Sequence, residues 1–483
     1  MSQSLSLIIS PALPEIFMAL SGMALLVLGA FKGNRFTGII TQLALLVVLL
    51  TALLVSNIWE DRYVALAGMF ITDTFAVYAK MAILYATAFT LVLSGDAFRG
   101  SDRQRAEFPV LIIFAATGMM LMVSANDLIS LYMGLELQSL SLYVLASIHR
   151  DNLRSSEAGL KYFVLGALAS GLLLYGCSLI YGFTGTTNFD QLAAVFQASG
   201  GKVSAGVILG MVLLVIGLCF KVSAVPFHMW TPDVYEGAPT IVTTFFASAT
   251  KVAAVALFIR VLMKPLGSLH AEWQQVLIFV SAASMIVGAI AALRQNNIKR
   301  LMAYSSIGHI GYILMGVATG TAEGMHGALI YIGVYVVMSI GTFACILHMR
   351  RQGDAVENLS DLGGLATQQP FFAAALALFM FSMAGIPPMA GFFGKFFVFK
   401  AALEEGFYAL AIIGVLTSVV AAYYYIRVVK IMYFDAAGSA LDEDFSRAST
   451  VVLMLTAAFN IGFFLYPTPL LEMARLAAVA LFS

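Results

Sequence analysis

Hydrophobic positions fall in long uninterrupted runs, and polar positions gather in the short gaps between them. A run of about 17–25 apolar residues can cross a bilayer as a helix. Fourteen such runs can be read, over about 11–30, 37–55, 74–95, 108–124, 127–148, 157–183, 203–230, 238–263, 273–293, 300–319, 325–348, 370–403, 407–432 and 448–466. Barrel strands would alternate over about ten residues, so continuous runs predict helices. The pattern predicts an all-α polytopic membrane protein with fourteen transmembrane helices. The tail from Pro467 to Ser483 is short and amphipathic, and reads as a segment lying at the membrane interface.

Two runs are interrupted. The seventh contains Pro226, and the twelfth contains Ala384-Gly385-Ile386-Pro387-Pro388. Proline removes a backbone donor and clashes with the preceding turn, and glycine loosens the chain further. Non-helical backbone at membrane depth persists only against protein or a wet cavity. The broken helices, 7 and 12, lie five apart and therefore cross in opposite directions. That is the sequence sign of two inverted five-helix repeats, helices 4–8 and 9–13. Four blocks follow: a three-helix segment over 1–107, a first repeat over 108–265, a second over 266–435, and the fourteenth helix with its tail over 436–483.

Composition agrees with this pattern. The chain has 483 residues, 61% hydrophobic and 11% charged, against about 45–50% and 25% in ordinary soluble domains. Formal net charge is zero, which gives a nucleic-acid partner no electrostatic support. Cys177, Cys219 and Cys345 stand alone in apolar runs, and no two histidines share the i, i+4 spacing of a helical metal site. No metal, haem or iron–sulfur cluster is expected in this chain. Met1–Ile9 lacks a basic segment, so the first run reads as a retained span. One set of loops carries most of the basic residues, among them Arg99, Arg103, Lys299, Arg300 and Arg350, whereas Arg260 and Lys264 fall in the poorer set. The positive-inside rule then puts both termini outside the cytoplasm. Trp59, Trp230 and Trp273 fall near predicted span ends, as an aromatic belt would. Asp233 and Glu236 fall on a cytoplasmic turn and read as solvated.

The charges that remain inside spans carry the candidate chemistry. They are Lys80, Lys161, Lys221, Lys251, Lys395 and Glu136. Each charge costs roughly 2.5–3.5 kcal/mol at the centre of a span. Glu136 follows Asp127 by nine residues, which at about 1.5 Å per residue puts it near mid-depth. The same spacing from Arg260, Glu404 and Arg300 puts Lys251, Lys395 and His309 at similar depth. Lys221 and Lys395 flank the breaks, where freed carbonyls and water let an amine exist in two protonation states. Burial disfavours a charged amine by up to about 3–5 pKa units. A structural role, a lysine tied to freed carbonyls, is the plainer alternative. A carboxylate within about 4–6 Å of Lys221 would hold it charged, and moving away would release its proton. Glu136 is the candidate, and a static ion pair is the alternative. His309 reads either as a relay or as a satisfied core histidine. Lys161, one turn beyond Glu157, is either a proton inlet or a snorkelling lysine. Lys80, seven residues after Asp73, is within snorkelling reach of the outer surface.

Longer motifs add a resemblance. Phe220-Lys221-Val222-Ser223-Ala224-Val225-Pro226-Phe227-His228-Met229-Trp230 and Asp233-Val234-Tyr235-Glu236-Gly237-Ala238-Pro239-Thr240 are similar to the antiporter-like membrane subunits of respiratory complex I. So are Ile298-Lys299-Arg300-Leu301-Met302-Ala303-Tyr304-Ser305-Ser306, Leu359-Ser360-Asp361-Leu362-Gly363-Gly364-Leu365 and Gly391-Phe392-Phe393-Gly394-Lys395. Lysine at positions 251 and 395, and the lack of a long lateral helix after the fourteenth span, resemble the N-type more than the L- or M-type. Ile241 departs from the pattern, since many relatives have proline there. The resemblance implies proton pumping driven by quinone reduction elsewhere in a bacterial inner-membrane complex. The family's site residues would be Glu136, Lys161, Lys221, Lys251 and Lys395. NADH, FMN, iron–sulfur clusters and quinone would be bound by partner subunits, and the partners of this chain would be other membrane-arm subunits, lipid and protons. The alternative is an Mrp-type monovalent cation/proton antiporter subunit.

Overall fold

The computed structural model describes residues 10–59, 62–98, 105–200, 202–442 and 446–482. Met1–Ile9, Arg99 and Arg103 lie outside the described residues. Helices dominate throughout. The N-terminal segment holds α1 (Leu13–Lys32), α2 (Thr37–Ser56) and α3 (Thr74–Ala97), with a hairpin of β1 (Tyr63–Ala65) and β2 (Phe70–Thr72) before α3. There follow α4 (Glu107–Val123), α5 (Leu128–Ala146), α6 (Leu153–Thr184), α7 (Phe189–Ala198) and α8 (Ala205–Val222). Next come α9 (Trp230–Gly237), α10 (Thr240–Ala247), α11 (Ala249–Met263), α12 (His270–Ala292), α13 (Ile298–Ala318) and α14 (Ala322–His348). A small hairpin, β3 (Arg350–Arg351) with β4 (Asp354–Ala355), leads to α15 (Pro370–Ala384), α16 (Ala390–Glu404), α17 (Tyr408–Phe434), α18 (Arg447–Gly462) and α19 (Thr468–Val479).

Among the described residues, eleven helical stretches are long and apolar enough to cross a membrane, with α10 and α11 counted as one. The apolar helices α4, α15 and α18 are shorter. Each observed stretch falls on an expected apolar run. Polar residues start the helices: Asp73, Asp127, Asn152, Asn188, Asn297 and Ser446 each accept a backbone N–H of the following first turn.

The breaks are the main irregularity. Helix α8 stops at Val222 because Ser223 is left-handed, at φ +67°, and α15 stops at Ala384 because Gly385 is left-handed, at φ +85°. Cis prolines follow, at Val225–Pro226 and Pro387–Pro388. A third break went unread in the sequence. Ser248, with φ −114° and ψ −88°, separates α10 from α11 three residues before Lys251, although no proline or glycine stands there.

Several expectations are corrected by packing. Asp233 and Glu236 lie not on a turn but on α9, in which Trp230, Thr231 and Pro232 are buried. Trp230 and Trp273 are core residues and not belt residues; their indole N–H groups donate to the Phe220 and Leu266 carbonyls at 3.0 Å each. Arg260, assigned to a loop, is 0% exposed and paired bidentately with Asp73 at 2.5 and 2.8 Å. Lys80 does not reach the surface; it is buried against Glu15 at 2.7 Å. The tail forms α19, whose Ala474, Ala477 and Ala478 pack against α3 and α14.

Two backbone clasps share one design. Leu128 and Phe189 donate to the carbonyls of Thr187 and Asn126, at 2.9 Å each. Ile298 and Leu359 donate to those of Glu357 and Asn296, at 2.8 Å each. The paired residues Asp127–Asn188 and Asn297–Asn358 are spaced identically along the chain.

Candidate functional site

A helix break frees carbonyls, and the lysines take them. At the first break, Lys251 Nζ donates to Val222 O at 2.9 Å and to Ser223 Oγ at 2.7 Å. At the second, Lys395 Nζ donates to Ala384 O at 2.8 Å and to Ser418 Oγ at 2.8 Å. In both cases the accepting carbonyl is the last before the left-handed residue. Both lysines are buried, at 1% and 6% exposure. Each ammonium also lies near an aromatic ring, Trp230 at 5.7 Å for Lys251 and Tyr312 at 5.1 Å for Lys395. Among the described residues neither ammonium has a carboxylate partner, so two neutral acceptors solvate each charge without neutralising it.

Lys221, one residue before α8 ends, donates to Ser139 Oγ on α5 at 2.6 Å. Glu136, one turn earlier on α5, accepts from Ser170 Oγ on α6. The carboxylate and the amine are therefore not in direct contact; each is held by its own serine. Both are half-buried at the edge of the chain.

His309 sits inside the second half. Its Nδ1 shares a hydrogen bond with Tyr331 Oη at 2.7 Å, and its Nε2 one with Tyr425 Oη at 3.0 Å. Tyr425 Oη continues to Ser305 Oγ at 2.5 Å. A small void beside these groups is lined by Ser305, His309, Tyr312, Met383, Lys395 and Tyr425, among others, so His309 and Lys395 face one space. Between the two halves, Lys251 lies near Trp230, Trp230 packs on Tyr235, and His309 packs on Tyr335 at 5.2 Å. Buried hydroxyls of Ser306 and Ser339 stand beside Tyr335 in this central zone.

Lys161 is not part of the buried row. It is 42% exposed and bridges Glu157 at 2.7 Å and Asp233 at 2.8 Å. Asp233 and Glu236, expected to be solvated, instead both accept from Arg300, at 2.7 and 2.9 Å. Burial pushes the Asp233 carboxyl up, but hydrogen bonds from Lys161 and Arg300 outweigh it and hold it below the ordinary value. Lys299, assigned to a loop, is buried between the Ala238 carbonyl at 2.9 Å and Glu357 at 2.8 Å. Sequence reasoning missed the serines at 139, 170, 223 and 418 and the tyrosines at 331 and 425. Hydroxyl residues are common in membrane helices, and only the fold shows which ones meet a charge.

The fold and its row of ionisable groups define a class: polytopic membrane proteins with buried lysines set at broken helices. Residues 125–421 match the transmembrane family described as NADH:quinone oxidoreductase/Mrp antiporter. The NADH-quinone oxidoreductase subunit N of Rhodospirillum rubrum is 57% identical over 479 residues, covering 99% of this chain and 98% of that protein. The chain belongs to the NADH-quinone oxidoreductase subunit N family. Among solved structures, a chain of respiratory complex I from Thermus thermophilus with bound aureothin is 31% identical. It matches with a TM-score of 0.81 over 95% of this chain and 98% of that one. A chain of the Mrp complex from Dietzia, 23% identical with a TM-score of 0.84 over 97% of both chains, shares the fold.

Proposed function

We propose that this chain is a proton-translocating membrane-arm subunit of a bacterial NADH:quinone oxidoreductase. Electron transfer from NADH to quinone takes place in partner subunits, which carry FMN and the iron–sulfur clusters. The observation that carries the reading is that Lys251 and Lys395, both buried, have no carboxylate partner among the described residues, and that Lys395 shares a void with His309. A static scaffold has no need of uncompensated ammonium groups at two equivalent breaks.

The architecture that supports this reading is fourteen transmembrane helices in the inner membrane. They comprise the N-terminal segment (1–107), two inverted five-helix repeats (108–265 and 266–435) and a final helix with its tail (436–483). The three shorter apolar helices bring the spans to fourteen, and the matched clasps at Asp127–Asn188 and Asn297–Asn358 would lie on opposite faces. Both termini would then face the periplasm.

In this scheme Lys161 and its acidic neighbours collect protons at the cytoplasmic face. Glu136 sets the charge of Lys221 by approaching or leaving it, each group being held by its own serine here. Lys251 takes the proton next, the hydroxyl-lined centre carries it to His309, and Lys395 delivers it outward. The carboxylate's distance is the switch, because a nearby opposite charge favours the charged amine.

The test is NADH-driven proton uptake in inverted membrane vesicles carrying Lys395→Ala. An assembled complex that oxidises NADH and pumps at the wild-type ratio of protons to electrons would defeat the proposal. Cation/proton exchange by this chain alone in liposomes would favour the antiporter alternative, whose fold it shares.

A further inference from the structure

A groove outside the proton route runs along the exposed seam between the end of α5 and the start of α6. Its volume is about 740 Å³, which is within the range of small-molecule sites. The seam is furrowed because small residues bring the helices together: a Cβ added at Gly159 would fall 2.5 Å from Ser147 Cβ. The deep walls are apolar, formed by the exposed side chains of Val144, Leu160 and Phe163 and by Tyr143. The mouth is polar. Arg105, Glu107 and Arg150 line it, and a second cavity of about 160 Å³ shares Arg105 and Arg150 and adds Asp151.

We propose that this groove binds one zwitterionic glycerophospholipid of the phosphatidylethanolamine type. The two arginines would take its phosphate, the two carboxylates its ammonium, and an acyl chain would lie along Val144, Leu160 and Phe163. Two observations on the groove favour that occupant. Its apolar walls stand about half exposed, Val144 at 50%, Leu160 at 63% and Phe163 at 49%. Its mouth presents both signs of charge around one space, which matches a zwitterion better than an anionic headgroup. The site also borders the proton route. The Tyr143 ring forms its inner wall and lies 6.0 Å from Lys221 Nζ, so the acyl chain would seal lipid from that amine. The proposal stands whether or not Lys221 carries protons.

The experiment is lipid analysis of the purified, assembled complex after extensive detergent washing, with a high-resolution density map. The expected result is a retained phosphatidylethanolamine at this groove in the wild type. Retention should fall on the order of thirty-fold in the Arg105→Gln, Arg150→Gln double variant. A Val144→Trp variant, filling the apolar part, should also expel the lipid, and it decides the matter if the double variant fails to assemble. Unchanged retention in the variants, a polypeptide segment occupying the groove, or equal retention of phosphatidylglycerol would each overturn the proposal.

Discussion

Replacing Lys395 by arginine separates carrying a charge from releasing a proton. The lysine ammonium serves the Ala384 carbonyl and the Ser418 hydroxyl at 2.8 Å each and lies 5.1 Å from the Tyr312 ring centre. Arginine keeps the charge, supplies donors for both oxygens and can stack on the same ring. Its bulk costs about 1–3 kcal/mol as overpacking, within the margin of roughly 5–15 kcal/mol typical of a folded domain. Assembly should therefore survive. Proton release should not. Arginine stays protonated in proteins, its neutral form lying about 7 kcal/mol away at a working pH near 7.5. Any step that needs a neutral side chain there would slow by about 10⁵-fold. In inverted vesicles, Lys395→Arg should show assembled complex with proton uptake at background. Lys395→Ala should also lose uptake, and in addition leaves the Ala384 carbonyl unpaired. Wild-type proton-to-electron ratios in Lys395→Arg would refute the claim that this site must deprotonate.

Glu136→Asp should retain more coupled activity than Glu136→Gln, and equal activity in the two would count against a carboxylate requirement. Gly385→Ala forces a side chain onto a left-handed residue and puts its Cβ 2.9 Å from Lys395 Cδ. It should cost about 1–2 kcal/mol in backbone strain and lower pumping more than assembly, which blue-native gels and vesicle assays measure separately. Arg260→Leu strands a buried carboxylate at Asp73 and should cost about 3–5 kcal/mol, read as loss of assembled complex; the double variant with Asp73→Leu should recover part of it. The Asp233 carboxyl is held below its ordinary 3.8, so its contribution is present above that pH and lost only as pH falls through the lower folded value. Infrared difference spectra against Asp233→Asn should therefore show no protonated Asp233 at pH 5.

The sequence by itself determined the spans, because excluding backbone from lipid demands uninterrupted apolar runs, and these can be counted. Proline and glycine likewise announced two of the breaks, and a charge inside an apolar run announced Glu136, Lys221, Lys251 and Lys395. The break at Ser248 was not legible, since its backbone is held by packing and not by a residue that forbids helix. Depth along one helix was legible from spacing, but partnership between helices was not. Lys80 and Arg260 looked able to reach a surface until the fold brought Glu15 and Asp73 against them. Only tertiary structure gave Lys221 the Ser139 hydroxyl and Glu136 the Ser170 hydroxyl, and put Lys251 and Lys395 on the last carbonyls of two broken helices. Those contacts join residues far apart in the chain, and local periodicity carries no information about which distant faces will meet.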